Sequence, residues 1–374
     1  MAVLSEEQAM LKDMAANWAR HRAPVSAFRK AAEGHNGLRH DPQLYAEMVE
    51  MGWAGIVVPE AHGGADFGHF SLGLILEELG RTLVSSPLLG SALVGVAALR
   101  LGGSEEKQAR WLSAIASGEA IVGLAVDESG RHDPGNIAFA ARSDGNGWVL
   151  EGVKAPVLDG IAANLFIVAA RVADGSGITL FLVDADAQGL SRTPLRRVDC
   201  RDAASLLFAE VHVDGDAVLG EIDRGGALLE RILDRGRAGL AAEMLGSATQ
   251  AFETTLDYLK TRVQFGQLIG SFQALQHRAV KMLGELELTR SAVEAALAAI
   301  DEDQEDVPAL ASLAKALAGD TLRLVAGEMV QLHGGIGMTE EHDAGLYLKR
   351  AAAADATWGN SAFHRERYGR LAGY

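Results

Sequence analysis

The chain has 374 residues, 48% hydrophobic and 6% aromatic, which is ample for a large core or several subdomains. A net charge of −16 repels phosphate backbones, and no concentrated basic patch offsets it, which argues against nucleic-acid binding. The single cysteine, Cys200, excludes an internal disulfide framework and any cysteine-based metal cluster, and it suits a reducing cytoplasm.

The opening residues, Met-Ala-Val-Leu-Ser-Glu-Glu, carry neither a basic n-region nor an apolar h-region, so no signal peptide is expected. No apolar run approaches the roughly 20 residues that span a bilayer, so no membrane insertion is expected. Residues 1–118 read as helical. Ser5 with Gln8 forms a capping box. Asp41-Pro42 starts a helix that Gly52 stops, and Glu77-Glu-Leu-Gly80 closes another. Ser104 caps a helix that runs to Ser117 and stops at Gly118. Val57-Val-Pro-Glu60 with Gly63-Gly64 signals a loop.

Near residue 119 the composition changes. Short β-branched or alternating runs follow at 121–126, 137–142, 148–150, 165–170, 178–183 and 206–213. Asn146-Gly147 predicts a hairpin turn, because both residues tolerate positive φ. From about residue 222 the helical period returns, with Leu228, Ile232, Leu240, Leu245 and Phe252 on one face. Two further long amphipathic stretches follow, the last starting after Asp306. The fold expected is α+β and multi-domain: an N-terminal helical domain (1–118), a central β-barrel or sandwich domain (119–221) and a C-terminal helical bundle (222–374).

Two stretches of the last block carry chemistry. Arg262-Val-Gln-Phe-Gly266, with Gln273 and Gln276, offers a fixed cation and amide side chains. Gln331-Leu-His-Gly-Gly335-Ile-Gly337 offers paired glycines whose backbone N–H groups can approach an anion closely. Alone, Arg262 could serve a helix end and Gly334-Gly335 a plain C-cap. His333, His342 and His364 have no ligand-like spacing with carboxylates, so no metal site is expected. The acidic run Asp301–Asp306 reads as a solvated interhelical loop. His364-Arg-Glu-Arg367 reads as i, i+3 or i, i+4 pairing on a terminal helix.

Both stretches, together with Gly52–Glu60, Gly63-Gly64, Glu77–Arg81 and Tyr258, resemble the signatures of the acyl-CoA dehydrogenase family over nearly the whole chain. The resemblance implies that Arg262 grips an FAD pyrophosphate beside Gln264 and Phe265, and that Gln273 reaches the adenine half. It implies that Gln331, Gly334 and Gly335 come from a neighbouring subunit of a dimer of dimers. It further implies an acyl-CoA substrate, Arg237 near that substrate, and an electron-transferring flavoprotein as acceptor.

The sequence departs from the family at the catalytic base. Counting from Arg350, taken as the end of a helix, Trp358 takes the aromatic position and Gly359 the position of the usual glutamate. The other seat the family uses, counted back from Phe265, holds Gly236. No other acid is an obvious replacement: the candidates to consider are Asp355, four residues before Gly359, and Glu243, two turns after Gly236 and about 10 Å along the helix. In the β block, Val126-Asp-Glu-Ser-Gly130 and Lys154–Gly160 stand where the family has its flavin-ring contacts, with Pro156 or Val157 in place of the stacking aromatic and Asp127 or Ser129 left for polar contacts. The expected function is FAD-dependent α,β-dehydrogenation of a CoA thioester, with this chain serving as the base-lacking partner of a related, glutamate-bearing chain. The alternatives are a flavin-dependent monooxygenase on the same fold and a non-catalytic thioester-binding or structural subunit.

Overall fold

A computed structural model describes residues 3–33, 38–172, 175 and 177–374. The N-terminal block is helical, with α1 (Glu6–Arg22), α2 (Val25–Glu33), α3 (Pro42–Glu50), α4 (Gly68–Arg81), α5 (Val96–Gly102) and α6 (Glu105–Ala116). The local signals act as expected here. The Ser5 hydroxyl accepts from the Gln8 amide, and the Gln8 side-chain oxygen accepts from the Ser5 amide. Asp41 caps α3 by accepting from the Gln43 amide at 2.9 Å, and Gly52 follows α3 at φ +78. Ser104 caps α6 through the Lys107 amide.

The central block forms one eight-stranded mixed sheet. Its strands are β1 (Val122–Ala125), β2 (Ala140–Asp144), β3 (Gly147–Leu158), β4 (Leu165–Val172), β5 (Ile178–Asp184), β6 (Leu190–Pro194), β7 (Ala203–Asp214) and β8 (Val218–Leu219). The order is β6-β7-β3-β2-β4-β5-β8, and β1 and β2 lie end to end along β4, both parallel to it. The turn between β2 and β3 is Gly145-Asn146, because Asp144 pairs with Gly147. The expected Asn146-Gly147 turn is therefore one residue out of register. Pleated runs buried on both faces, such as Leu165–Ala170, were readable. β6 was not, since Leu-Ser-Arg-Thr-Pro is almost wholly exposed and sits at an edge, where a proline is tolerated.

The C-terminal block holds α7 (Gly225–Thr261), a short hairpin of β9 (Val263–Gln264) and β10 (Gln267–Leu268), then α8 (Gln273–Asp301), α9 (Val307–His333), α10 (Ala344–Ala356) and α11 (Ser361–Leu371). α9 is the centre of this bundle, packing on α8, α10 and α11.

By packing, the chain divides into two compact units that are each discontinuous in sequence: Met1–Phe28, Gly73–Val84 and Arg237–Tyr374 in one, Arg29–Leu72 and Ser85–Gly236 in the other. In the first unit α4 and α7 touch backbone to backbone. A β-carbon on Gly80 would overlap the Glu243 carbonyl, and one on Gly246 would overlap the Glu77 carbonyl. Beside this contact Glu77 accepts from Lys12 of α1 at 2.9 Å and Arg290 of α8 at 2.6 Å. Burial opposes ionisation of Glu77, but the two cations win and hold its carboxyl below the ordinary range. In the second unit the core is the sheet itself, with Ala169, Ala170, Leu180 and Phe181 wholly buried.

Candidate functional site

The cation-and-amide motif sits where α7 ends. The Arg262 amide still bonds the Tyr258 carbonyl, and the chain then turns through Phe265 at φ +56 and Gly266 at φ +79. Two successive positive φ values make the tight turn that a two-residue hairpin needs. Arg262, Gln264 and Gln273 are exposed, and Phe265 is 91% exposed. No carboxylate pairs with the Arg262 guanidinium among the described residues. Gln276, in contrast, is spent locally, its amide donating to the Gly270 carbonyl at 2.9 Å.

The glycine motif sits where α9 ends. Gly334 takes φ +63 and ψ −137, a backbone that needs glycine. Gly335 needs nothing of the kind, since a β-carbon there would meet no atom within 4 Å. Gln331, Gly334 and Gly335 are exposed. The His333 ring stacks on the Tyr258 ring, centroids 4.3 Å apart, and His342 continues the column at 4.3 Å. This stack joins the end of α7 to the end of α9 within one chain. Tyr258 lies one turn before Arg262 and His333 directly before Gly334. A cation without a carboxylate, free amides and an open pair of glycines fit an anionic diphosphate.

The turn between α10 and α11 holds the seat of the missing base. α10 runs six residues past Arg350, which therefore does not end the helix as expected. Arg350 is buried instead, pairing with Glu243 at 3.2 Å and donating to the Leu83 carbonyl at 3.3 Å. Glu243 is thus a buried ion-pair partner. Trp358 and Gly359 take φ +53 and +103. A β-carbon on Gly359 would overlap the Phe363 ring and come within 2.8 Å of His364 Nε2. The seat is filled by these rings, and the backbone there disfavours any side chain. Gly236, the alternative seat, is buried within α7.

Asp355, the first candidate for a substitute base, is a fastening group. It is buried, its carboxylate accepts from the Ser361 amide at 3.0 Å and the Ser361 hydroxyl at 2.8 Å, and it pairs with Arg323. Arg237, expected beside the substrate, is fully buried. Its Nε donates to the Trp358 carbonyl at 3.2 Å, and its guanidinium lies over the Phe363 ring at 5.6 Å. His364 Nε2 donates to the same carbonyl at 3.1 Å. Burial, then the Arg237 and Lys315 charges, push the His364 imidazole far below its ordinary range and keep it neutral. Arg365 and Arg367 of α11 make contacts beyond their own helix. They reach α9, Arg365 at Asp320 and Arg367 at the Pro308 carbonyl and the Ser312 hydroxyl. Sequence reasoning missed Lys315 of α9, which is fully buried and donates to the Asp355 and Gly359 carbonyls. Its signal was a lysine amid the alanines of an apolar helix.

In the second unit, the loop that replaces the family's flavin-ring contacts is fixed by its own residues. Asp127 Oδ1 meets His132 Nδ1 at 2.7 Å, and Ser129 accepts from the Arg131 amide at 3.2 Å. Glu128 accepts from buried Lys154 at 2.7 Å and from the Ala138 and Phe139 amides. Val157 is fully buried and pairs with Ala204, while Pro156 is half-exposed at a break in the β3–β7 register. Of the two residues named for the aromatic's place, Pro156 alone offers a surface.

Three family models match in succession: the acyl-CoA dehydrogenase N-terminal domain over residues 5–119, the middle domain over 124–215 and the C-terminal domain over 223–372. The chain belongs to the acyl-CoA dehydrogenase family. Members of that family are oxidoreductases. Among its relatives are the probable acyl-CoA dehydrogenase YngJ of Bacillus subtilis, 30% identical over 97% of each chain, and the acyl-CoA dehydrogenase IpdE2 of Mycolicibacterium smegmatis, 31% identical over 93% of each. The solved structure of a variant of the Tcur3481-Tcur3483 steroid ACAD is 32% identical, covers 98% of each chain and superposes with a TM-score of 0.89. No helix among the described residues of this family member is long and apolar enough to cross a membrane.

Proposed function

We propose that this chain is the FAD-binding, base-lacking subunit of a heteromeric acyl-CoA dehydrogenase that oxidises a CoA thioester at its α,β bond. The observation that carries this reading is the closed seat at Gly359, with Phe363 and His364 where a carboxylate would stand. The two nearby acids are both committed, Asp355 to Arg323 and Ser361 and Glu243 to Arg350. A related chain supplies the carboxylate that removes the α-proton.

Bound FAD would supply the hydride acceptor. Arg262 would hold its diphosphate with a guanidinium fork beside Gln264 and Phe265, Gln273 would reach the adenine half, and Gln331 with the backbone N–H groups of Gly334 and Gly335 would complete the site. In a dimer of dimers the Arg262 motif of one chain and the Gln331–Gly335 motif of a neighbouring subunit would share one FAD. Arg237 acts through the Trp358 carbonyl rather than on the thioester. Electrons leave for an electron-transferring flavoprotein, and the setting is the cytoplasm. Pairing of two related chains finds support in the steroid ACAD relative, whose name joins two chain designations.

The test is a visible absorption spectrum of the chain purified alone and co-expressed with a glutamate-bearing relative, followed by anaerobic addition of acyl-CoA thioesters. Flavin that bleaches only in the co-expressed assembly supports the proposal. Full bleaching by the chain alone overturns it.

A further inference from the structure

Lys315 occupies the middle of α9 among Ala311, Ala314, Ala316 and Ala318, all buried, and is itself fully buried. A lysine in such surroundings costs several kcal/mol unless its charge is used. Its Nζ donates to the Asp355 carbonyl and to the Gly359 carbonyl, each at 2.9 Å. Asp355 lies in the last turn of α10, where carbonyls have no partner within the helix and the macrodipole is negative. Gly359 lies beyond it, in the turn. One ammonium therefore ties the end of α10 to the start of α11. The carbonyl between those two anchors, that of Trp358, is held by Arg237 and His364.

The charged and titratable groups facing Lys315 come from α7, α9, α10 and α11. Asp355 of α10 favours the ammonium; Arg237 of α7 and Arg323 of α9 itself oppose it. His364 of α11 is neutral and adds no charge. Burial is the largest influence and brings the Lys315 ammonium down to about 7. A charge-assisted hydrogen bond is roughly twice as strong as a neutral one, so neutralising Nζ weakens both anchors together.

We propose that Lys315 is a positioning residue whose charge sets the Trp358–Gly359 turn, so that the turn loosens, and the hold on a thioester weakens, as the ammonium loses its proton. The thioester part rests on the dehydrogenase reading; the movement of the turn does not.

The experiment follows the indole N–H resonance of Trp358 in the full-length chain labelled with 15N-tryptophan, assigned by its loss in Trp358→Phe, from pH 5.5 to 9. The expected result is a shift with a midpoint near 7. Lys315→Met should give a displaced resonance without that midpoint. Lys315→Arg, charged at every pH used, should hold the low-pH position throughout. A midpoint near 7 that persists in either variant overturns the inference. In the flavin-loaded assembly, the thioester concentration for half-bleaching should rise roughly tenfold across the same range and stay flat in Lys315→Arg; an unchanged rise in that variant also overturns it. Failure of the dehydrogenase reading would show separately, as the absence of flavin from every assembly while Trp358 still titrates.

Discussion

Gly359 and Phe363 share a space that holds only one side chain. The Phe363 ring fills the volume into which a β-carbon at 359 would project, and the glycine takes φ +103. Gly359→Ala should therefore destabilise the protein by about 2–5 kcal/mol, from backbone strain together with overpacking. Adding Phe363→Ala should recover only the packing part, because the φ value stays. Gly359→Glu should not create a dehydrogenase. Urea melts of the two alanine variants, and a flavin-bleaching assay of the glutamate variant, check the three expectations.

Glu243 and Arg350 form a buried pair at 3.2 Å, and Phe28 lies under the guanidinium at 5.6 Å. Removing one partner takes away the opposite charge that the other faces in the interior. Glu243→Gln should cost about 3–5 kcal/mol in a urea melt. Any loss of activity should follow the loss of folded protein rather than appear as a separate drop in kcat.

Asp355 tests the same distinction from the other side. Asp355→Asn keeps an oxygen for the Ser361 amide and hydroxyl but loses the charge that Arg323 meets. Stability should fall by about 1–3 kcal/mol. The acidic limb of the pH profile of thioester oxidation by the assembled enzyme should remain, while the part governed by Lys315 moves to lower pH because the charge that favours its ammonium is lost. Disappearance of the acidic limb would instead mark Asp355 as the base.

Arg262 and Gly335 should separate cofactor binding from folding. Arg262→Ala removes an exposed guanidinium with no carboxylate partner among the described residues, so the melt should hardly move. FAD retention should weaken by about 1.5–3 kcal/mol, as for a lost hydrogen bond to a charged group. Gly335→Ala adds a methyl that touches nothing within the chain, and it should also leave the melt unchanged while lowering flavin content. Flavin-to-protein absorbance ratios after gel filtration check both.

Asp202 gives a pH dependence that is independent of the cofactor. It is fully buried, and burial raises its carboxyl to about 6 against the pull of the Ile161 and Ala162 amides and of Arg39 and Arg192. The unfolded chain releases this proton near pH 4. Between about 4 and 6 the native state binds more protons than the unfolded state, so stability falls as pH rises through that window, by about 3 kcal/mol in total. Asp202→Asn should flatten that part of the curve in urea melts taken from pH 4 to 7.

Much of the fold was legible because its signals are local. The Ser5–Gln8 box, the Asp41 cap, the stop at Gly52 and the long apolar period after residue 222 act between residues a turn or two apart. β6 was silent, since an exposed edge strand needs no apolar alternation. The two diphosphate-type motifs were legible as residue types, but the ring stack beside them was not. Tyr258 stacks on His333, 75 positions later in the chain.

The sequence by itself determined the order of helical and β blocks, the family, and the absence of a glutamate at 359 and 236, because periodicity, caps and short motifs are written in consecutive residues. Only the tertiary structure decided what that absence means. Glu243 is matched to Arg350 across 107 positions, Lys315 reaches Gly359 across 44, and Asp355 is taken up by Arg323 and Ser361. Whether a carboxylate is a base or a brace depends on which charges and N–H groups the packing brings to it, and no local pattern in the chain encodes that.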